Sequence, residues 1–198
     1  MPNASTSFFG WVAFLLQKYG MLFLRGTGMT LLIALTGTAL GFALGLLVAI
    51  IRTIALPEKK KTGSNTGVVI RRALLQFVQL LMNVYIQVFR GTPMIVQAVV
   101  IYYGAQYAGV FMDTTFAAIF IISINTGAYM AEIIRGGIVS VDKGQFEAAH
   151  AIGMTHWQTM TTVVLPQAIR NILPSVGNEL IVNIKDSSVL NVISVSEL

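Results

Sequence analysis

The sequence has very few of the residues that carry out chemistry in soluble enzymes. Among its 198 residues there are 0 cysteines, 2 histidines and only 11% charged residues, whereas about a quarter of an ordinary soluble domain is charged. The lack of cysteine excludes disulfides, iron–sulfur clusters and thiolate chemistry. His150 and His156 have no third ligand nearby, so no metal site is predicted. Since no acid–base or nucleophile constellation is placed for chemistry either, the sequence predicts no catalytic residue and no enzyme.

What the chain does have is apolar sequence. Hydrophobic residues make up 55% of it and the mean hydropathy is +0.75. A membrane span needs about 20 apolar residues, so the length allows about four to six spans with short loops. The net charge of +5 is therefore assigned to membrane orientation and not to nucleic-acid binding. We predict an all-α, polytopic transmembrane protein made of one domain, residues 1–198.

The first half of the chain contains the clearest span. Residues 29–51 are uncharged and would form a helix roughly 35 Å long. Within it Gly37, Gly41 and Gly45 recur every fourth residue, which predicts a helix face that another backbone approaches closely. Residues 8–25 mix aromatic and aliphatic side chains with Lys18 and are predicted to form an interfacial helix. The polar residues 52–72 are predicted to be a solvated linker.

The later segments are assigned by apolar runs and by charge. The predicted elements are a span at 73–105 broken near 90–93, a span at 114–134, a cytoplasmic loop at 135–166 and a span at 167–195. Residues 73–112 could cross the membrane once or twice. One crossing places nine of the 13 basic residues on one side, so we favour it together with a cytoplasmic loop and an outside N-terminus.

The segment 135–166 has its own order. Helix-compatible residues around Glu147 are followed by Gly153, then by a second helical stretch that ends at Pro166. Gly153 is predicted to adopt the left-handed conformation that ends a helix, and Pro166 is predicted to limit the second helix. Phe146, Ala149 and Ile152 lie at three-residue spacing, which predicts an apolar face that binds a partner's groove.

These residues match a specific pattern. Glu-Ala-Ala is followed by three residues, a glycine, nine residues and then a hydrophobic residue, any residue, and Leu-Pro. The chain resembles the permease subunits of ATP-binding-cassette importers, whose cytoplasmic "EAA" loop has this pattern, and only Val163 departs from it in place of isoleucine. Four further segments resemble the polar amino acid (histidine/glutamine/arginine-type) branch of the family: 90–94, 128–137, 166–170 and 185–190.

The resemblance implies a type I importer permease fold. Family members of this branch usually have five spans, so about four are expected here, with the fifth apparently missing after Leu198. It also implies a bacterial inner or plasma membrane location, a second permease subunit as a homo- or heterodimer, two cytoplasmic ATPase subunits and an extracytoplasmic solute-binding protein. The chain contains no Gly-x-x-x-x-Gly-Lys-Ser/Thr sequence, so ATP is expected to be used by the partner subunit, and no cofactor is expected on this chain.

The implied function is ATP-driven import of a polar amino acid. The alternatives are a permease for another small solute such as methionine, and an ion-coupled secondary transporter, which would normally show paired broken helices. The residues implied to couple this subunit to the ATPase are Gln145, Phe146, Glu147, Ala148, Ala149, Ile152, Gly153, Leu165 and Pro166.

Three polar residues within apolar segments are candidates for the translocation pathway, because polar groups at membrane depth normally face a cavity or a partner. They are Arg90, Asn125 and Glu179. Arg90 is expected to satisfy the carbonyls freed by the break at 90–93 or to pair with an acid, and Asn125 to form an interhelical hydrogen bond. Glu132 and Arg135, three residues apart, are expected to pair.

Overall fold

The computed structural model describes residues 7–53 and 66–193, which are helical with short connections and contain no strand. The predicted all-α fold is therefore confirmed. Residues 54–65, within the predicted linker, and 194–195, at the end of the last predicted span, lie outside the described residues. In chain order the elements are α1 (Phe8–Thr53), α2 (Thr66–Gly91), α3 (Met94–Tyr107), α4 (Thr114–Val139), α5 (Lys143–Ala151), α6 (His156–Gln158), a π-helical turn (Thr159–Val164), α7 (Leu165–Asp186) and a 3₁₀ turn (Ser187–Ile193).

The core forms where α1 packs against α4. A Cβ atom added at Gly37 would lie 2.5 Å from Ile122, one at Gly41 would lie 2.6 Å from Thr126, and one at Gly45 would lie 2.5 Å from Met130. Any side chain at these positions would collide with α4. The close approach predicted from the glycine spacing is confirmed, and it makes α4 the most deeply packed of the long helices.

α1 differs from its prediction because it is a single helix of 46 residues, about 69 Å long. The sequence predicts two elements here, 8–25 and 29–51. No proline interrupts the junction, and the Thr27 hydroxyl donates to the carbonyl of Phe23 at 2.8 Å, a bond that fits within a continuous helix. The interfacial placement of residues 8–25 stays a prediction.

Three of the described helices are long and apolar enough to cross a membrane: α1, α2 and α4. α2 is long enough to cross the membrane by itself, although the sequence predicts that this crossing occupies residues 73–105. α7 is less apolar because it contains four charged residues, Arg170, Glu179, Lys185 and Asp186. The crossing predicted at 167–195 stays a prediction.

The helix break lies between α2 and α3. α2 ends at Gly91, and Pro93 is the N-cap residue of α3. Because Pro93 has no backbone N–H and disfavours helical geometry at the residue before it, the helix cannot run straight through. α3 has 14 residues, about 21 Å, which is shorter than a bilayer core.

A buried polar cluster joins three helices in the core. The Asn183 amide of α7 donates to the Thr38 hydroxyl of α1 at 2.8 Å and accepts from the Thr126 hydroxyl of α4 at 3.1 Å. All three residues are buried. This cluster fixes the far end of α7 to the α1–α4 pair.

The prediction that Pro166 limits its helix is wrong. The π-helical turn runs directly into α7, and Pro166 lies in the first turn of α7. The Leu165 N–H bonds to the carbonyl of Met160, five residues earlier. At the start of a helix an N–H has no required partner, so proline is tolerated there. The loop predicted at 135–166 and the span predicted at 167–195 therefore share one continuous helical segment.

Candidate functional site

The loop predicted to couple to an ATPase is a helical hairpin. Asp142 caps α5 by accepting a hydrogen bond from the Gly144 N–H at 2.6 Å. Gly153 ends the helix with φ at +83°, so its predicted left-handed conformation is confirmed. Thr155 and Gln158 then form a capping box at the start of α6. Because the N-termini of α5 and α6 are both capped and Gly153 fixes the turn between them, the hairpin has a defined shape.

The apolar face predicted for α5 does not all point outward. Phe146 packs against Val164 and Ala168, and Ala149 is buried. Ile152, in contrast, is 79% exposed. The prediction that these residues form one face for a partner is therefore wrong for Phe146 and Ala149, because α5 uses that face to pack on the π-helical turn.

The outward face of the hairpin carries one carboxylate among small and apolar side chains. Glu147 and Ala148 are exposed on α5, and Trp157 on α6 is 75% exposed. Within the described part of the chain no hydrogen bond or ion pair engages the Glu147 side chain. Gln145 contacts Gln167 of α7 at 3.5 Å, so it ties the hairpin to α7.

An ion-pair cluster lies at the end of α4 that leads into this hairpin. Glu132 accepts from Arg135 at 2.9 Å, which confirms the predicted pair. Glu132 also accepts from Arg52 at the end of α1. One carboxylate therefore joins the last turn of α1 to α4.

A second polar group surrounds the break between α2 and α3. The Gln97 amide donates to the carbonyls of Phe89 and Thr92, both at 2.9 Å. Asn125 of α4 donates to the Gln97 side chain at 3.0 Å, so its predicted interhelical hydrogen bond is confirmed. Gln97, not Arg90, satisfies the carbonyls freed by the break, because it lies one turn into α3 and points back at them.

Arg90 lies over the ring of Tyr129 on α4, with its guanidinium carbon 5.4 Å from the ring centre. The described residues contain no salt bridge to Arg90. Arg90 and Asp186 are charged groups in the surroundings of Glu179. Arg90, at the end of α2, and Glu179, on α7, therefore lie in the same region of the fold.

Glu179 lies on the inward stripe of α7. Residues of this stripe recur every three or four positions and are buried or half-buried: Val164, Ala168, Ile172, Val176, Glu179 and Asn183. A half-buried carboxylate within an apolar stripe is costly unless it faces a polar space or partner. Asn125, in contrast, is held by hydrogen bonds to α3 and to the carbonyl of Phe89.

Three polar residues with structural roles were not singled out from the sequence. Gln97 and Asn183 lie within apolar helices, where their polarity is the available signal. Arg52 ends an uncharged run, which indicated only a boundary. None of them has a spacing that identifies its partner, since the partners lie 5 to 145 positions away.

Comparison with known proteins agrees with this architecture. Residues 63–196 match the family described as "Binding-protein-dependent transport system inner membrane component". The "Glutamine transport system permease protein GlnP" of Escherichia coli is 39% identical over 179 residues, 89% of this chain and 73% of that protein. The "Probable amino-acid ABC transporter permease protein YckA" of Bacillus subtilis is 38% identical over 175 residues, 88% of this chain and 69% of that protein.

Solved structures share the fold. A crystal structure of an amino acid ABC transporter with histidines aligns with a TM-score of 0.80 at 36% identity, over 98% of this chain and 79% of that one. The MetNI methionine ABC transporter, in an inward-facing conformation, aligns with a TM-score of 0.65 over 89% of this chain and 76% of that one. At 21% identity, this second likeness shows the fold alone.

The fold and the matches together define a multi-pass helical subunit of a bacterial membrane importer. The chain belongs to the family of inner membrane components of binding-protein-dependent transport systems. It is a transport subunit and not an enzyme, and ATP hydrolysis is in a separate subunit.

Proposed function

We propose that this chain forms the membrane pathway for a polar amino acid and that its α5–α6 hairpin docks on the cytoplasmic ATPase. Glutamine is the first substrate to test, because the GlnP relative is a glutamine transport permease. The hairpin carries the proposal: it is capped on both sides of Gly153 and presents the unengaged carboxylate of Glu147.

The outward face of the hairpin has the character of a docking surface. Interfaces use a few buried apolar or aromatic side chains for affinity and charged groups for orientation. Ile152 and Trp157 provide the apolar contacts, and Glu147 provides a negative charge that pairs with a basic group on the ATPase. Ala148 is small enough to allow close approach, while Leu165 and Pro166 continue the exposed surface into α7.

The polar side chains of α2, α4 and α7 line the proposed pathway. Arg90 and Glu179 carry opposite charges, which matches the carboxylate and ammonium groups of an amino acid. Asn125 contributes by holding Gln97, and through it the broken helix, in place. A methionine permease has less support, because the methionine transporter resembles this chain only in fold.

The assembly we propose contains two permease subunits, as a homo- or heterodimer, two ATPase subunits that use the ATP and an extracytoplasmic solute-binding protein. α2 and α3 expose apolar side chains, which provide surface for contact with lipid and with a second permease. The hairpin faces the cytoplasm and the N-terminus lies outside. This orientation agrees with the excess of basic residues on the hairpin side.

The docking role is tested with Glu147→Gln, which keeps the shape of the side chain but removes its charge. We expect weaker copurification of the ATPase and transport reduced about tenfold, with Glu147→Asp recovering part of both. Lys143→Gln on the same helix is the control, and it should leave ATPase binding intact because the proposed partner surface is basic. Equal ATPase binding by the Glu147→Gln and parent proteins would contradict the docking role.

A further inference from the structure

The clearest unexplained feature is the π-helical turn Thr159–Val164, which interrupts an otherwise α-helical segment. Thr159 and Val164 are five residues apart and both are fully buried. In an α-helix such residues differ by about 140° in direction, whereas π-helical hydrogen bonds stack them on one face. The turn therefore lets α6 and α7 use the same inward face without a loop between them.

This arrangement joins the hairpin to α7 as one packed unit. Phe146 of α5 packs on the buried cluster that contains Val164 of the turn and Ala168 of α7, and Met160 of the turn packs on the same cluster. The Gln167 amide of α7 donates to the carbonyl of Val163 at 2.9 Å. With buried contacts on both sides and no intervening loop, a displacement of α5 carries the start of α7 with it.

The other half of α7 is held by a different set of contacts. Asn183 is hydrogen-bonded to both α1 and α4 in the core. Pro174 lies between this fixed end and the hairpin. Because Pro174 has no N–H, the carbonyl of Arg170 loses its helical partner and the helix can bend there.

The near half of α7 contacts α4 at one side and borders an open cleft at the other. Ile172 rests against Gly137 of α4, and a Cβ atom at Gly137 would clash with it. Beside this contact lies an open cleft of about 290 Å³, lined by α4 and α7. Asn171 spans it with a hydrogen bond to Ser140 at 2.9 Å. Ile172 also packs in a buried cluster with Ala49 and Ile134, so this contact, with a glycine on the α4 side, is the place where the two helices touch and about which the near half of α7 would turn.

We infer that α5, α6, the π-helical turn and residues 165–173 move as one rigid body during transport, bending α7 at Pro174 while Asn183 stays fixed. Glu179 lies between the bend and the fixed end, so the movement shifts the hairpin half of α7 relative to this charged part of the pathway. This inference rests on the proposed function, since it assumes that the hairpin receives the movement from the ATPase.

Two engineered cysteine pairs distinguish the moving contacts from those within the rigid body. This sequence has 0 native cysteines, so no other thiol of the permease competes with the introduced ones. Ser140→Cys with Asn171→Cys joins α4 to the moving half of α7. Phe146→Cys with Val164→Cys joins α5 to the turn, within the rigid body. Each pair is closed with a short, reducible bifunctional thiol reagent in proteoliposomes that hold the permease, its ATPase and its binding protein, and uptake of radiolabelled L-glutamine is measured.

Closing the α4–α7 pair should reduce uptake at least about tenfold, and reduction should restore it, whereas closing the α5–turn pair should leave uptake near its uncross-linked rate. Full uptake with the α4–α7 pair closed, or loss of uptake with the α5–turn pair closed, would overturn the inference. Uptake before cross-linking tests the proposed function separately.

Pro174→Ala is an independent measurement that needs no cross-linking. Restoring the helical hydrogen bond should lower the number of glutamine molecules transported per ATP hydrolysed by several-fold. Leu173→Ala, at an exposed neighbouring position, is the control and should keep the parent ratio. An unchanged ratio in Pro174→Ala would contradict a bend at this residue.

Discussion

At the residue scale, the glycines of α1 are defined by what they contact. A Cβ atom at Gly41 would lie 2.6 Å from Thr126 and 3.1 Å from the carbonyl of Ser123, while one at Gly28 would meet nothing within 4 Å. Their four-residue spacing was visible in the sequence and correctly predicted a close helix contact. It could not identify α4 as the partner, because spacing describes one helix only.

We therefore expect Gly41→Ala to destabilise the protein by about 1–3 kcal/mol, the usual range for overpacking. The measurement is unfolding of the purified protein in detergent, followed by circular dichroism. Gly28→Ala is the matched control in the same helix and should be neutral or slightly stabilising. Equal losses in the two variants would show that the α1–α4 contact tolerates an added methyl group.

The structural role of Asn183 is clear in the structure but could not be predicted from the sequence. In the sequence it is one polar residue in a moderately apolar segment, but in the structure it bonds to two hydroxyl groups from helices far away in the chain. Long-range partners of this kind cannot be read from local pattern.

Asn183→Ala leaves the Thr126 hydroxyl without its acceptor, so we expect a loss of about 1–3 kcal/mol of stability. Asn178→Ala, at an exposed position on the same helix, is the control and should stay within about 0.5 kcal/mol of the parent. Chemical unfolding of both variants in the same detergent provides the comparison. A loss no greater than that of the control would mean that the cluster does not stabilise the fold.

At the element scale, helix ends marked by glycine and proline were predicted with mixed success. The positive φ of Gly153 and the break before Pro93 agree with the known preferences of these residues. Pro166 did not end its helix, since a π-helical turn places it in the first turn of α7. A π-helical turn has no simple sequence signature, so this continuity could be found only in the structure.

The same limit applies to the faces of α5. The three-residue spacing correctly indicates a shared side for Phe146 and Ala149, whereas Ile152, which follows the last residue of α5, is exposed. The spacing does not indicate whether that side faces a partner or the protein's own α7, because both environments are apolar. Only the packing of Phe146 against Val164 resolves the choice.

Gly153→Trp tests the hairpin as an element. A bulky residue at φ +83° costs roughly 1–2 kcal/mol locally, so we expect α5 and α6 to change their relative orientation. Membrane insertion should remain at the parent level while stimulation of the ATPase by the binding protein is lost. Gly136→Ala, where an added Cβ atom would meet nothing within 4 Å, is the control. Full stimulation in Gly153→Trp would contradict the role of the hairpin.

At the scale of the whole molecule, composition and one spaced pattern were enough to predict the fold class and the protein family. The all-α membrane fold and the family follow from apolar runs and from the Glu147 to Pro166 pattern, and both are confirmed. The positions of the membrane crossings remain predictions, because they depend on the bilayer and on the partner subunits as well as on the helices.

Glu132 of α4 connects two helices that are distant in the chain, because it pairs with Arg52 in the last turn of α1 as well as with Arg135. We expect a double-mutant cycle of Arg52→Ala and Glu132→Ala to give a coupling energy of about 0.5–3 kcal/mol. Arg135→Ala is expected to couple more weakly, because the Arg135 side chain is 50% exposed whereas that of Arg52 is 21% exposed. A coupling energy near zero for Arg52 would mean that the pair does not hold the two helices together.

The central claim is that this subunit imports a polar amino acid by using ATP hydrolysed on a partner. The most direct measurement is uptake of radiolabelled L-glutamine into proteoliposomes that contain this permease, its ATPase and its binding protein. We predict uptake only when ATP and the binding protein are both present, unaffected by collapsing proton and sodium gradients. Uptake driven by an ion gradient without ATP would contradict the claim and favour a secondary transporter.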